Sequence, residues 1–228
     1  MITQNRDVVR IAGEDDILHV PSGISDIHAF REWVHSSGLP EYGRVWWLDG
    51  SVWVDLTMED IFSHVAVKTE ITIVVGGLVK TANLGLYLTD GVLLSNFAAD
   101  ISGIPDGMFL SNETLDSDRV RFLEGRRGGY TELQGSPDMV LEIVSRSSVR
   151  KDTETLKKAY WEAGIREYWL VDARRDPPKF TIFRYAARGY AAPRKQDGWV
   201  ASAAFGRAFR LVRSASAHHQ PKFVLESR

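Results

Sequence analysis

Pro137-Asp138-Met139-Val140-Leu141-Glu142-Ile143-Val144 reads as a strand, with Met139, Leu141 and Ile143 on one face and Val140, Glu142 and Val144 on the other. Beyond it the period changes. Asp152 can cap a helix whose Leu156, Ala159, Tyr160 and Ala163 recur at helical spacing, with Gly164 past its end, before the strand Tyr168-Trp169-Leu170-Val171. Strand, helix, strand is a crossover unit, whose strands lie parallel with a right-handed connection. The fold class that follows is α/β, a mixed β-sheet flanked by helices.

Upstream, Ser25 can N-cap a helix carrying Ile27, Phe30 and Val34 and stopped by Gly38 and Pro40. Residues 44–56 read as a hairpin about Asp49-Gly50, with Trp46, Trp47 and Trp53 supplying core or interface area. Thr57-Met58-Glu59-Asp60 fits a capping box for a helix ending near Val75 and Gly76-Gly77. Short strands are expected at 86–88, 91–94 and 108–111. Residues 180–184, with Tyr190, Trp199 and 205–211, read as antiparallel strands on the sheet edge. The organisation expected is an N-terminal extension with one helix at 1–43, a domain at 44–213 with a C-terminal β appendage, and a tail at 214–228.

With 44% hydrophobic and 25% charged residues in 228, the chain has ordinary globular usage, so a folded core is expected. The longest apolar stretches, 71–75 and 139–144, fall short of the ~20 residues of a membrane span. The N-terminus has no basic segment before an apolar run, and there is no Cys, so a cytoplasmic protein without disulfides is expected. Absent Cys excludes thiolate zinc sites and cysteine nucleophiles, and the six His form no HExxH pair. Serine-hydrolase elbows, phosphate loops and dinucleotide fingerprints are missing. The net charge of -2 hides an asymmetry, because residues 1–60 carry -7 and the remainder +5. Two basic runs, 174–195 and 119–127, are candidate polyanion-facing patches.

Glu142 stands where the pattern wants an apolar residue. A lone buried carboxylate costs several kcal/mol, so it needs a salt bridge, an edge position open to water, or a metal. Mg²⁺ takes oxygen ligands, usually one or two carboxylates plus waters and phosphate. Asp106, in Ile104-Pro105-Asp106-Gly107, and Asp138 each open an apolar strand, and both also suit a plain turn. If the two strands are neighbours, Asp106 and Glu142 converge on one ion, and Lys151 or Lys157 would complete a phosphodiester-cleaving site. Both lysines equally suit an ordinary surface.

The run Pro137–Ser145, with Tyr160-Trp161-Glu162-Ala163-Gly164-Ile165 and Glu167-Tyr168-Trp169-Leu170-Val171-Asp172, strongly resembles the Uma-two family. These are bacterial endonucleases with the restriction-endonuclease-like PD-(D/E)xK fold. The likeness spans about residues 44–184 and includes the Asp49-Gly50 turn, His64 and Ile104-Pro105-Asp106. It implies a Mg²⁺-dependent nuclease acting on DNA, with Mn²⁺ as substitute and Asp106 and Glu142 as metal-binding acids. Members often carry an acid where this chain has Trp46, so Glu59 or Asp138 is the candidate further acid. The motif lysine is expected in the helix, where Leu156 stands four residues before Tyr160, so Lys151 or Lys157 would replace it. Two rivals stay open: a fold that has lost its chemistry and binds nucleic acid or protein, and a metal-dependent phosphodiesterase for small substrates. Cutting both strands calls for two sites, and the aromatics around Trp46 and Trp169, expected to be exposed, suit a homodimer.

Overall fold

The structure is a computed structural model and describes residues 8–12, 17–36, 44–126, 128–214 and 219–228. The chain begins with strands β1 (Val8–Ala12) and β2 (Ile17–Pro21), helix α1 (Ile27–Val34), and the hairpin β3 (Arg44–Leu48) and β4 (Ser51–Asp55). A π-helical turn, Ile61–Ala66, leads into α2 (Val67–Thr81), followed by β5 (Gly85–Thr89), β6 (Leu93–Asn96), β7 (Ile101–Gly103) and β8 (Gly107–Ser111). Then come α3 (Asn112–Leu115), β9 (Val120–Glu124), β10 (Tyr130–Gly135) and β11 (Met139–Ile143). A second π-helical turn, Lys151–Thr155, opens α4 (Leu156–Glu162), before β12 (Glu167–Asp172), β13 (Lys179–Arg184), β14 (Val200–Ser202), β15 (Arg207–Ser214) and β16 (Lys222–Ser227).

The crossover is as expected: β11 and β12 pair in parallel, Met139 with Glu167 through Ile143 with Val171. They are the middle of a five-stranded sheet in the order β13-β12-β11-β8-β5. Its faces alternate as the sequence predicts. Met139, Leu141 and Ile143 pack with Val67, Ile71, Val75 and Val79 of α2 and with Phe209, Phe223 and Leu225 of the three-stranded sheet β14-β15-β16. Val140 and Val144 pack with Leu156 and Tyr160 of α4 and with Trp46, Leu94 and Leu133 of a six-stranded sheet, β4-β3-β7-β6-β10-β9. A third cluster joins Phe30 and Trp33 of α1 to Val45 and Trp47 of β3.

Several boundaries differ from the sequence reading. Asp26, not Ser25, caps α1, its carboxylate accepting from the N–H groups of His28 and Ala29 at 2.9 Å. Gly38 and Pro40 lie outside the described residues. Thr57 is held by Asp55, and Asp60 takes the cap instead, accepting from the N–H groups of Phe62 and Ser63. The helix runs through Gly76-Gly77 to Thr81 because burial of Val67, Ile71, Val75 and Val79 outweighs the ~1 kcal/mol that each glycine costs. From Ile61 to Thr81 it is long and apolar enough to cross a bilayer, although the sequence reading expected no such segment; the four buried residues seat it in the core. Asp152 is not a cap: its N–H already bonds Ser148 O at 2.8 Å inside the helical turn. The expected C-terminal tail contributes β16, whose Phe223 and Leu225 enter the core. Trp46 and Trp169 are fully buried, so they offer no surface for a homodimer.

Candidate active site

Asp106 immediately precedes β8, and β8 runs antiparallel to β11 with Gly107 opposite Leu141. One step further along that register sets Asp106 opposite Glu142, on the same face of the sheet. Both are fully buried. Asp106 Oδ2 accepts from Ile143 N at 2.7 Å, and Oδ1 accepts from Arg44 Nη1 at 2.8 Å. Glu142 Oε1 accepts from Tyr160 Oη at 2.7 Å. Glu142 and Lys151 line one cleft of about 490 Å³ with Arg44, Trp46, Glu59, His64, Asp90 and Asp152.

The Ile61–Ala66 turn brings in a third group. His64 Nε2 lies 3.5 Å from Asp106 Oδ2, and Nδ1 lies 3.1 Å from Glu59 Oε2 without forming a hydrogen bond. One donor atom each from Glu59, His64 and Asp106 falls within 4.8 Å of the others. Lys68, one turn along, donates to Glu59 at 2.9 Å and to Asp90 at 2.6 Å, and its Nζ is 3.6 Å from Asp106. Arg44 bridges Asp106 and Glu59. Glu142 stands outside the close cluster of Glu59, His64 and Asp106.

The electrostatics separate the two central acids. Burial pushes Glu142 up to about 8; Lys151 opposes this, while Asp106 and Asp152 reinforce it. Burial acts on Asp106 in the same sense, but His64, Arg44 and Lys68 outweigh it and hold the carboxylate ionised well below its usual range. Burial likewise disfavours ionised Glu59, yet His64, Arg44 and Lys68 lower it to about 2. Burial disfavours the imidazolium of His64, whereas Asp106 and Glu59 raise it to about 9. Lys151 keeps its proton because Glu142 and Asp152 overcome its burial. The site therefore holds fixed cations around two firmly charged acids, Asp106 and Glu59, and one readily protonated acid, Glu142.

The sequence-derived residues divide cleanly. Asp106, Glu142, Glu59 and Lys151 are brought to this region. Asp138 is not, because it opens the other end of β11, where it accepts from Ser111 N at 2.7 Å and Arg166 at 2.9 Å. Lys157 is not either: its ammonium sits 4.3 Å from the centre of the Phe183 ring. Arg44, Lys68 and Asp90 escaped sequence reasoning, since they meet Asp106 and Glu59 through long side chains from separate elements. His64 was noticed only through the family resemblance. The two departures from that resemblance are neighbours: Trp46 and Leu156 share the apolar cluster under β11. Lys151 Nζ lies 4.5 Å from the centre of the Trp46 ring and 2.8 Å from Asp152 Oδ1, so a lysine does reach the cleft from the turn before α4.

The family profile described as "Putative restriction endonuclease", Uma2, matches residues 30–212. The chain belongs to the Uma2 family. A crystal structure from Anabaena variabilis, described as a putative nuclease belonging to DUF820, superposes with a TM-score of 0.57 at 17% identity, covering 79% of this chain and 90% of that one. That likeness shows a shared fold. No curated protein matches the chain. The Uma2 match takes in β3 through most of β15, and with them every residue of the cleft.

A divalent ion fits the donor set, on two observations. Carboxylate and imidazole donors converge within 4.8 Å, and buried His64 Nδ1 has no hydrogen-bond partner. Arg44 and Lys68 supply the positive charge that balances those acids.

Proposed function

We propose that this chain is a metal-dependent endonuclease that hydrolyses DNA phosphodiester bonds. The observation that carries the reading is the register that sets Asp106 opposite Glu142 across β8 and β11, with Glu142, Glu59, His64 and Lys151 lining the cleft and Asp106 clustered with Glu59 and His64 beneath it. Asp106 and Glu142 would hold Mg²⁺, with Glu59 as the third acid; His64 adds a nitrogen donor that suits Mn²⁺ better. A bound ion of this kind activates water and neutralises charge growing on the phosphate. Tyr160 fixes the Glu142 carboxyl by its hydrogen bond. Lys151, kept cationic, offers its ammonium to a phosphate oxygen.

The test incubates supercoiled plasmid with the protein and Mg²⁺ or Mn²⁺. Nicking by the wild type should vanish in Asp106→Asn and Glu142→Gln; nicking that persists in both variants rejects the assignment. A second reading, a nuclease fold that binds without cutting, is favoured by Arg44 and Lys68 occupying the acids and by Trp46 and Leu156. It predicts no Mn²⁺ binding in a calorimeter, whereas the nuclease binds Mn²⁺ and loses it in Asp106→Asn.

A further inference from the structure

Beside the acid-bearing cleft lies a second one of about 800 Å³, lined by three arginines from three elements. Arg146 comes from the loop after β11, Arg174 from the loop after β12, and Arg213 from β15. The two clefts are continuous, because Thr57, Met58, His64 and Ser145 line both. Among the described residues the single acid on the wall, Asp60, spends its carboxylate on the cap, accepting from Phe62 N, Ser63 N and Ser63 Oγ at 2.7–3.0 Å.

The arginines differ in how far they are committed. Arg174 is fixed, gripping Asp172 through Nε and Nη2 at 2.8 Å and donating to Ser145 O at 3.2 Å. Arg213 makes one exposed ion pair, with Asp176 at 3.4 Å. Arg146 is exposed and has no ion pair among the described residues. The Ser145 and Ser147 hydroxyls on the wall are already engaged, with each other at 3.0 Å and, for Ser147, with Asp55 at 2.7 Å. A surplus of guanidinium groups on a wall whose one described acid is spent on a helix cap is the chemistry of a phosphate track. The other basic run maps elsewhere: Arg119 precedes β9 and Arg121 lies on it, at the edge of the six-stranded sheet opposite the β3–β4 hairpin.

We infer that this groove carries the sugar-phosphate backbone of the nucleic acid on one side of the bond to be cut, with Arg146 and Arg213 as the phosphate contacts and Arg174 as the buttress of the wall. The inference rests on the nuclease reading for its substrate class, and its test does not depend on cutting. A fluorescent 20-base-pair duplex is titrated by anisotropy, in chelator, from 50 to 200 mM salt. Each lost phosphate contact lowers the slope of log affinity against log salt by about 0.9, so Arg146→Ala with Arg213→Ala should lower it by about 2 and weaken binding about tenfold or more. The loss should be equal for two unrelated sequences, and Arg119→Ala with Arg121→Ala should bind as the wild type does. The groove is rejected if the Arg146/Arg213 pair keeps wild-type affinity and slope, if the Arg119/Arg121 pair loses as much, or if the wild type binds no duplex. A wild type that binds through the groove yet never nicks plasmid would instead sink the nuclease reading and leave the groove standing.

Discussion

Arg44→Met tests whether the guanidinium is a stand-in for an ion. The substitution keeps most of the stem and removes the charge that bridges Asp106 and Glu59. Asp106 is 1% exposed and Arg44 23%, so the pair is mostly shielded from water. Breaking a buried pair costs about 3–5 kcal/mol; the partial exposure of Arg44 and the partners left to Asp106, the Ile143 N–H donor and the Lys68 charge 3.6 Å away, bring the expected loss to about 2–3 kcal/mol. At about 2–4 °C per kcal/mol for a chain this size, the metal-free melting midpoint should fall by about 5–10 °C. An ion binding the folded state alone returns about 2.7 kcal/mol at a hundred times its dissociation constant. Mn²⁺ should therefore raise the midpoint of the variant more than that of the wild type, because the wild type must first displace its own arginine. Scanning calorimetry with chelator and with Mn²⁺ reads both numbers. An unchanged metal-free midpoint, or equal Mn²⁺ increments for the two proteins, refutes the reasoning.

Lys151→Met should lower the plasmid nicking rate about a hundredfold or more with little change in duplex affinity, whereas Lys157→Ala should leave nicking intact; gel assays of the two variants separate the lysines, and equal effects would contradict their placement. In the metal-free protein stability should fall as pH rises from about 4.5 to 9, through Glu142 between about 4.5 and 8 and through His64 between about 6.5 and 9. His64, raised from 6.5 to about 9, contributes stability that is complete below 6.5 and lost through 9, while Glu142, raised from 4.5 to about 8, resists the ionisation that the unfolded chain undergoes freely. Glu59, lowered to about 2, acts oppositely and gives a second loss as pH drops below 4.5. Melting midpoints across pH 3–10 check this, and a midpoint that climbs between 6.5 and 9 contradicts it. Gly103→Ala should destabilise by about 1–3 kcal/mol in urea unfolding and also slow nicking, because a Cβ there would fall inside the Trp46 ring on which Lys151 rests; a neutral change would show that the ring moves freely.

The centre of the fold was legible because two periodicities abut: alternation through Met139–Val144, then helical spacing to Ala163. The same alternation exposed Glu142, and the register of β8 against β11 delivered Asp106 to it. Caps were less legible, since Ser25 and Asp26, or Thr57 and Asp60, are equivalent until the backbone shows which carboxylate or hydroxyl faces the free N–H groups. Strand β7 has three residues and ends in Gly103, too short for any pattern. The charged ring around Asp106 left no local trace. Arg44 lies 62 residues from Asp106, and the two meet only because β3 pairs with β7, whose chain runs on into Asp106 and β8. Trp46 and Trp169 looked like surface aromatics because an aromatic strand gives no sign of being covered on both faces.

Both helices that feed the cleft have a wide turn at or near their start. Val65 N reaches back five residues to Asp60 O at 3.0 Å, and Leu156 N does the same to Lys151 O. Each wide turn holds one more residue than α-helical winding would, and each carries a residue of the cleft, His64 in the first and Lys151 in the second. Shortening either by a single residue would restore ordinary pitch and swing the side chains on one side of the deletion by about 100° about the axis. The phase of these two helices is thus set by residue count, so a one-residue deletion would aim the imidazole or the ammonium away from the carboxylates while every amino acid of the cleft was still present.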